Sequence, residues 1–579
     1  MHTLFRFNTS PMPNVWPSNF RSALTQPAAL SYKALAYPDK PDTNSFLFNF
    51  VRSSWLALFA ACLFQVVFFL SVANLFALSC IIIAWALLSA QFLRPDRLNT
   101  YPLSSFLLLG FTATQFYFPL VFTTLEGKPV VFNLELPYHV FGHSGLSLLV
   151  LLLAHAAYRG IVKMPLSNPN GLLGKIGLFT PPADLQLWLM GLTGLGATVY
   201  AYFISPSVGW EVTGAASDKA IQGLIPFSYA PFFIPFSRMY GNMKDPDKRL
   251  VPMLVAFTLL LFVVSIGRNS RGAFMLGFTS VGFGFGLALL LGIFKTRLFT
   301  MRNAALAGLA FLLVTGPIAD IGTAMVIVRG QRSKISNAEL IELTWQAYQD
   351  KDAIRARRQN DNTTADEWDE RYLDNIFTAR FSNLKFNDAS LVQSTKIGDQ
   401  DKDMLTYSIN YILGALPDPF LKALDIDADK ENVYGVSIGD YLYAEAGGPI
   451  EALGGFRTGH FAGTGMAAFG WWYLAILGFG MIPVYFLFDL FVAYVPISNK
   501  APGTGTPLRF SLCGLLVLTG IFQFLPAESV VTTATFLLRG WIQMILLYVV
   551  LFQATRLVSK VFQGPKTMSP ADYARLTRR

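Results

Sequence analysis

Charge is scarce in this chain. Asp, Glu, Lys and Arg together make up 14% of its 579 residues, where soluble domains carry roughly a quarter. That scarcity excludes a soluble multidomain enzyme. Cysteine is scarcer still: Cys62, Cys80 and Cys513 each fall inside an apolar stretch, and neither a disulfide framework nor a zinc spacing can be assembled from them. There is no Walker A loop or dinucleotide fingerprint, and no matched pair of Gly-interrupted spans of the kind that marks a transporter repeat. Met1 is not followed by a short basic segment, a hydrophobic run and a small-residue cleavage site, so the first span is expected to serve as the insertion signal.

Long uncharged runs dominate what is present. Hydrophobic residues make up 53% of the chain and the mean hydropathy is +0.44. Runs of about twenty apolar residues recur from Trp55 almost to the C-terminus, each long enough to cross ~30 Å of hydrocarbon at 1.5 Å per residue. The chain reads as an all-α polytopic membrane protein with about twelve transmembrane helices. The first two share one block, Trp55 to Leu70 and Leu75 to Phe92, split at Ser71 and Asn74. Others follow at Leu103 to Leu125, His139 to Tyr158, Leu185 to Ile204, Ala220 to Met239, Val251 to Ile266, Ala273 to Phe294 and Ala304 to Val326. After a long polar interval come Met466 to Val495, Phe510 to Phe524 and Val530 to Phe552.

Lys and Arg are retained on the cytoplasmic side of membrane proteins. With the N-terminus inside, Arg94 and Arg97, Arg159 with Lys163 and Lys175, Lys244 with Lys248 and Arg249, and Lys295 with Arg297 and Arg302 all face inward, as does the tail from Arg556 to Arg579. That puts about 25 basic residues inside against about 4 in the short outer loops. The expected organisation is a cytoplasmic N-terminal segment (1–53), spans one to nine (54–326), a periplasmic loop domain (327–465), spans ten to twelve (466–555) and a basic cytoplasmic tail (556–579). Both termini are expected in the cytoplasm, with the protein multi-pass in a bacterial inner membrane. Residues 327–460 hold 15 basic and 22 acidic residues, so that the formal net charge of +9 becomes −7 there and +16 elsewhere. The excess is the positive-inside signature, and no nucleic-acid partner is implied.

The outer segment has the composition of a folded domain. Ser336 with Glu339, before Leu340, Ile341 and Leu343, and Thr364 with Glu367, before Trp368, Tyr372 and Leu373, predict capping boxes and a mainly helical domain. Glycine multiplies from Gly435 to Gly465, so the chain is expected to return to the membrane as a Gly-rich loop.

Three places could carry chemistry. In Gly267-Arg268-Asn269-Ser270-Arg271-Gly272, two arginines occupy a short outer turn where the charge bias disfavours them. Guanidinium forks beside backbone N–H groups suit a phosphate or pyrophosphate; the plainer reading is a hairpin whose arginines snorkel to headgroups. In Arg457-Thr458-Gly459-His460 an imidazole that can take a proton near neutral pH lies three residues from a cation, and the plainer reading is a hydrogen-bonded surface histidine. Arg539 lies about ten residues inside the last span, where a charge costs ~2.5–3.5 kcal/mol; it faces a polar cavity or pairs with Asp320 or Asp489. Weaker candidates are Asp440 and Glu445, read mainly as an exposed acidic face, and His139 and His143 at the outer end of span four. Asp425, Asp427 and Asp429 have calcium-loop spacing, but Lys430 and Val436 occupy the glycine and glutamate positions. No metal site is expected.

The Asn269-Ser270-Arg271-Gly272-Ala273 turn, the Arg271-to-Gly282 spacing, and the stretch from His460 to Gly480 with Ala468-Phe469-Gly470-Trp471-Trp472 resemble the O-antigen and exopolysaccharide polymerases (Wzy-type), relatives of the O-antigen ligases. The resemblance covers most of the chain topologically, through short motifs. It implies a C-type glycosyltransferase architecture and a metal-independent enzyme without cofactors. Such an enzyme would join undecaprenyl-pyrophosphate-linked repeat units into O-antigen or exopolysaccharide at the periplasmic face. The donor and acceptor glycans and membrane lipid would be its partners, with a chain-length regulator protein as a further candidate. On this reading His460 accepts the acceptor hydroxyl proton, while Arg268, Arg271, Arg457 and Arg539 bind pyrophosphate, Arg271 doing so in the catalytic step. A ligase with the same donor is the first alternative. A lipid-linked oligosaccharide flippase is the second, although few charges line the spans and the outer segment would have no role.

Overall fold

Apolar segments with no interior charge must satisfy every backbone N–H and C=O internally, and the α-helix does so without a neighbouring strand. The computed structural model describes residues 45–563 apart from 205–215, 243–246, 248, 268–270, 295–304, 306–307, 310–311, 313, 329–336, 360–367, 376, 417, 427–435, 451–452, 454–456, 496–507 and 525–528. The chain divides into residues 1–43, which lie outside the described residues, and one unit from Asn44 onward. Among the described residues it is mainly helical. Seven helical stretches are long and apolar enough to cross a membrane: Phe46–Phe68, Val72–Gln91, Pro102–Leu125, Pro137–Ile161, Asp184–Ile204, Trp472–Asp489 and Val531–Val561. Two shorter apolar helices run over Leu250–Ser265 and Gly277–Leu290.

The first apolar block divides where polarity indicated. Helix α1 (Ser45–Phe68) ends before Ser71, whose hydroxyl accepts the Asn74 backbone N–H and starts α2 (Val72–Gln91). Gln65 and Asn74 bond each other at 3.1 Å, and Gln65 also holds Thr124, the Lys128 carbonyl and the Val130 N–H. The third span is α3 (Pro102–Thr112) joined through a π segment, Ala113–Tyr117, to α4 (Phe118–Leu125). α5 (Pro137–Ile161) packs on α2 and α3, and α6 (Asp184–Val199) ends in a π turn, Tyr200–Ile204.

The sixth expected span is not one α-helix. α7 (Ala216–Leu224) passes into a 3-10 stretch, Ile225–Tyr240, with Pro226 as its second residue and Pro231 and Pro235 inside it, and this stretch lies along α6. Proline supplies no N–H and its ring clashes with the preceding turn, so i→i−4 bonding cannot continue. α8 (Leu250–Gly267) and α9 (Arg271–Leu290) follow, and α10 (Ala319–Ile327) closes the first group.

The polar interval builds α11 (Asn337–Gln349), α12 (Lys351–Gln359), α13 (Leu384–Ile397), α14 (Lys402–Leu413), α15 (Asp418–Ala423) and α16 (Ile438–Glu445). Of the two expected capping boxes, Ser336, Thr364 and Glu367 lie outside the described residues. The helix expected over Trp368 to Leu373 does not form; those residues take no regular secondary structure. Their polar groups bond instead to the loop between α4 and α5. The Tyr372 hydroxyl donates to the Val130 carbonyl at 2.6 Å, Glu126 accepts the Asp374 backbone N–H, and Lys128 pairs with Asp374 at 2.7 Å.

The tenth expected span breaks. Gly470, with φ +55°, separates α17 (Phe461–Phe469) from α18 (Trp472–Asp489). Past α18 the chain forms strand β1 (Val492–Tyr494), antiparallel to β2 (Leu508–Phe510), so helix does not extend to Val495. The eleventh expected span is two short helices, α19 (Leu512–Leu516) and α20 (Leu518–Phe522). The last is α21 (Val531–Thr535), a π segment at Phe536–Gly540, and α22 (Trp541–Gln563). Trp471 and Trp472, at the start of α18, stay 55% and 70% exposed, as aromatic side chains do at a membrane–water boundary.

Candidate functional site

The polar interval is bedded into the ends of the apolar helices. α13 is the key. Its buried Lys385 and Asp388 pair at 2.9 Å, Lys385 also donates to the Asn133 carbonyl, and Asp388 accepts the Leu136 and Glu135 backbone N–H groups ahead of α5. A buried ion pair persists where further hydrogen bonds satisfy both groups, as here. The Asn383 N–H also reaches the Thr114 carbonyl, and Asn387 donates to Ser144 at 3.1 Å. α17 packs against α13 at Gly463, where a side chain would overlap the Ser390 backbone.

His460 lies in this seam. It is fully buried and caps α17, its Nδ1 accepting the Ala462 N–H at 3.3 Å, while Nε2 stands 3.2 Å from the Gln115 side-chain amide. The Gln115 amide nitrogen faces Nε2, and the Gln115 oxygen accepts the Ser144 hydroxyl at 3.3 Å, so both ring nitrogens of His460 are engaged. Burial, then the neighbouring His143, push the His460 pKa down to about 3. The proton acceptor near neutrality expected from sequence is therefore a neutral ring with both nitrogens engaged. His143 bonds the Tyr473 hydroxyl at 2.8 Å and stacks on Trp471 at 4.9 Å, with His139 beyond it.

Arg457 and Asp440 come together. The buried Asp440 accepts both the Arg457 backbone N–H (3.0 Å) and its guanidinium (3.3 Å), and the guanidinium lies 4.6 Å above the Tyr443 ring. Asp440 is therefore no part of an exposed acidic face. Glu445 is exposed, and its carboxylate clusters with those of Asp401 and Asp403 within 4.8 Å. These three could hold a cation, although Asp401 is already the cap of α14.

Two charged residues that the sequence did not single out, Glu370 and Arg380, join Arg457. Glu370 accepts the Trp368 indole N–H at 3.0 Å and bonds the Thr458 backbone. Its carboxyl pKa is raised, because desolvation outweighs those bonds and the pull of Arg380 and Arg457. Glu370 is nonetheless exposed. Arg380 is exposed, and its carbonyl accepts from Gln523 beyond α20. Next to it, Phe381 meets Phe118 and Phe283, and Phe283 stacks on Phe522 at 4.2 Å. Phe118, Phe283 and Phe381 are half-buried, so an aromatic lane begins beside the arginine. Local spacing could not have found this: Glu370 and Arg457 are joined only by the fold.

Arg268 lies outside the described residues, and Arg271 opens α9. Asp427 and Asp429 are also outside. Arg539 sits in the π segment of the last span and bonds Gln543 at 2.9 Å; among the described residues it has no acidic partner. Neither expected acid reaches it. Asp320 pairs with Lys351 at 3.0 Å, and buried Asp489 accepts from Leu103 N, Ser104 N, Ser104 Oγ (2.6 Å) and the Tyr158 hydroxyl. His155 also bonds Ser104 at 3.0 Å. Ser104 thus stands between the acid and the imidazole, whereas in a catalytic triad the histidine bridges the other two.

Fold and site together define a mainly helical protein of apolar, membrane-length helices, with Glu370 under the influence of Arg380 and Arg457, and a cluster of phenylalanine rings that starts at Phe381. No family model, curated protein or solved structure matches the chain.

Proposed function

We propose that this protein is a polysaccharide polymerase, a metal-independent glycosyltransferase that joins polyprenyl-pyrophosphate-linked oligosaccharides at the outer face of a bacterial inner membrane. The observation that carries this reading is that Arg380 and Arg457 both act on Glu370, and that Arg380 directly precedes Phe381, which meets the half-buried rings Phe118 and Phe283. A lipid pyrophosphate needs both features: cations for its head and an apolar path for its tail. In the proposed topology there are about twelve crossings with both termini cytoplasmic, and the polar interval faces the periplasm. The re-entrant backbone near Thr114 and Gln115 fits a site within the bundle, because irregular chain at membrane depth is tolerated where it is buried in protein or lines a water-filled cavity.

In the reaction an acceptor hydroxyl attacks the anomeric carbon of the donor glycan, and polyprenyl pyrophosphate leaves with the bonding electrons. Arg380 and Arg457 stabilise the charge that develops on it, and Arg268, Arg271 and Arg539 are further candidates for the same anion. His460 is a positioning residue, holding the return loop against α3–α4. A ligase with the same donor is the second reading, since the rim would serve either acceptor.

Deleting the gene and analysing surface glycan tests this. Loss of long chains, with single repeat units still attached outside, supports a polymerase. Long lipid-linked polymer accumulating outside points to a ligase, and repeat units trapped inside point to a flippase; either outcome rejects the polymerase reading.

A further inference from the structure

Resting on the polymerase reading, we propose that Glu370 is the general base of the transfer, taking the acceptor hydroxyl proton on the wetted side of its carboxylate. Three observations place it in that role. Its carboxylate is held in one orientation by the Trp368 indole N–H at 3.0 Å and by the Thr458 backbone. Its mount is rigid: Trp368 is buried in a small cluster with Ala389 and Tyr443, edge-on to the Tyr443 ring at 6.0 Å. Its neighbours are the two arginines that would meet the leaving group, and Arg457 is itself fixed by Asp440 and Tyr443.

A carboxylate oxygen offers about two lone-pair sites, so a residue with solvent contact and these two donors keeps acceptor capacity for a substrate hydroxyl. The raised pKa moves the group toward the neutral range in which a base is most effective. His460 has no solvent contact, and both of its ring nitrogens are engaged.

The step balances without a co-reactant. The acceptor oxygen bonds to the anomeric carbon as its proton passes to Glu370. The bond from that carbon to the pyrophosphate oxygen breaks, and the electron pair leaves with the pyrophosphate beside Arg380 and Arg457. The proton then passes from Glu370 to water.

The test uses the full chain in nanodiscs, with lipid-linked repeat units extracted from the deletion strain as donor and acceptor, and undecaprenyl pyrophosphate as binding probe. Glu370→Gln keeps an oxygen for Trp368 and the shape of the side chain. The expected result is a loss of elongation rate of at least about 100-fold, with unchanged probe affinity and thermal midpoint, and partial recovery in Glu370→Asp. Elongation by Glu370→Gln within about threefold of wild type would overturn the assignment while leaving the polymerase reading intact. A lost thermal midpoint or lost probe binding would also overturn it, since the residue would then be structural or a binding group. A wild-type protein that neither elongates nor binds the probe would reject the polymerase reading itself, and the assignment with it.

Discussion

His460 and Gln115, 345 residues apart in sequence, meet at 3.2 Å, where the return helix of the polar interval touches the π segment of the third span. Gln115 stands ten residues before the C-terminal end of that span at Leu125, about 15 Å along the axis at 1.5 Å per residue. The polar interval therefore reaches well down the bundle, and His460 joins the two by capping α17 on one side and holding a span on the other.

Replacing His460 by Ala removes the cap and leaves Gln115 short of a buried partner. Loss of a cap costs about 0.5–2 kcal/mol and a buried unpaired polar group about 1–3 kcal/mol. His460→Ala is expected to lower the thermal midpoint in detergent, and His460→Asn, whose side chain can cap, to recover part of the loss. Equal midpoints for the two variants would show that capping is not what His460 contributes.

The same residue sets a pH dependence. Its folded pKa of about 3 lies below the unfolded value of 6.5. Between these values the unfolded chain binds a proton that the folded protein does not. The stability associated with neutral His460 is thus intact above pH 6.5 and is lost as pH falls toward 3, by about 1.4 kcal/mol per unit from this group. Unfolding measured from pH 7 to pH 5 is expected to show the stability gap between wild type and His460→Asn shifting against wild type as pH falls. A constant gap would mean that the ring does not stay neutral.

Much of the membrane fold was legible in sequence because hydrocarbon imposes a length rule that single apolar runs satisfy alone. Ser71 and Asn74 marked the first turn, and it lies there. The sixth, tenth and eleventh spans differ because proline spacing, one left-handed glycine and a β-hairpin override hydropathy, which registers none of them. Arg457 was visible as a cation near the return. Asp440 was visible as an acid but not as its partner, and its neighbours Glu370 and Arg380 were not visible, because that grouping depends on irregular chain around Trp368 docking on the α4–α5 loop. An apparent capping box had suggested a helix there, and local preference gave way to tertiary bonding.

Asp440 is expected to matter for folding more than its place in a loop-rich region suggests. It is buried and holds both the Arg457 backbone and its guanidinium. Removing one partner of such a pair strands the other, at about 3–5 kcal/mol. Asp440→Ala should cost about 3 kcal/mol by thermal or denaturant unfolding, and Asp440→Asn, which keeps an acceptor oxygen for the Arg457 N–H, distinctly less. A loss below about 1 kcal/mol in the alanine variant would show that the pair is dispensable.

Gly470 has φ +55° and ψ −149° between α17 and α18, a backbone region almost confined to glycine. A side chain there would also press on Gln400. Gly470→Ala is expected to cost about 1–3 kcal/mol and to shift Trp471 and Trp472, the two residues that follow the break. Tryptophan fluorescence in nanodiscs, read beside the thermal midpoint, checks both effects, and an unchanged spectrum with full stability would mean that the break tolerates a side chain.

Arg380 separates a cationic site from a merely structural rim. Its carbonyl is held by Gln523, and that bond survives any substitution of the side chain. The side chain is exposed, so its removal leaves no buried gap and little change in stability is expected. If its charge meets a departing pyrophosphate, Arg380→Ala should slow elongation by about 100-fold, in the range seen when one charge-stabilising group is lost. Arg380→Lys should recover only part of the rate, because a lysine keeps the charge but loses the planar fork that pairs with two phosphate oxygens. Elongation assays on lipid-linked repeat units, with thermal midpoints measured in parallel, distinguish the cases. A full rate in Arg380→Ala at wild-type stability would remove this arginine from the site and leave Arg457, Arg268, Arg271 and Arg539 as the candidates for the pyrophosphate.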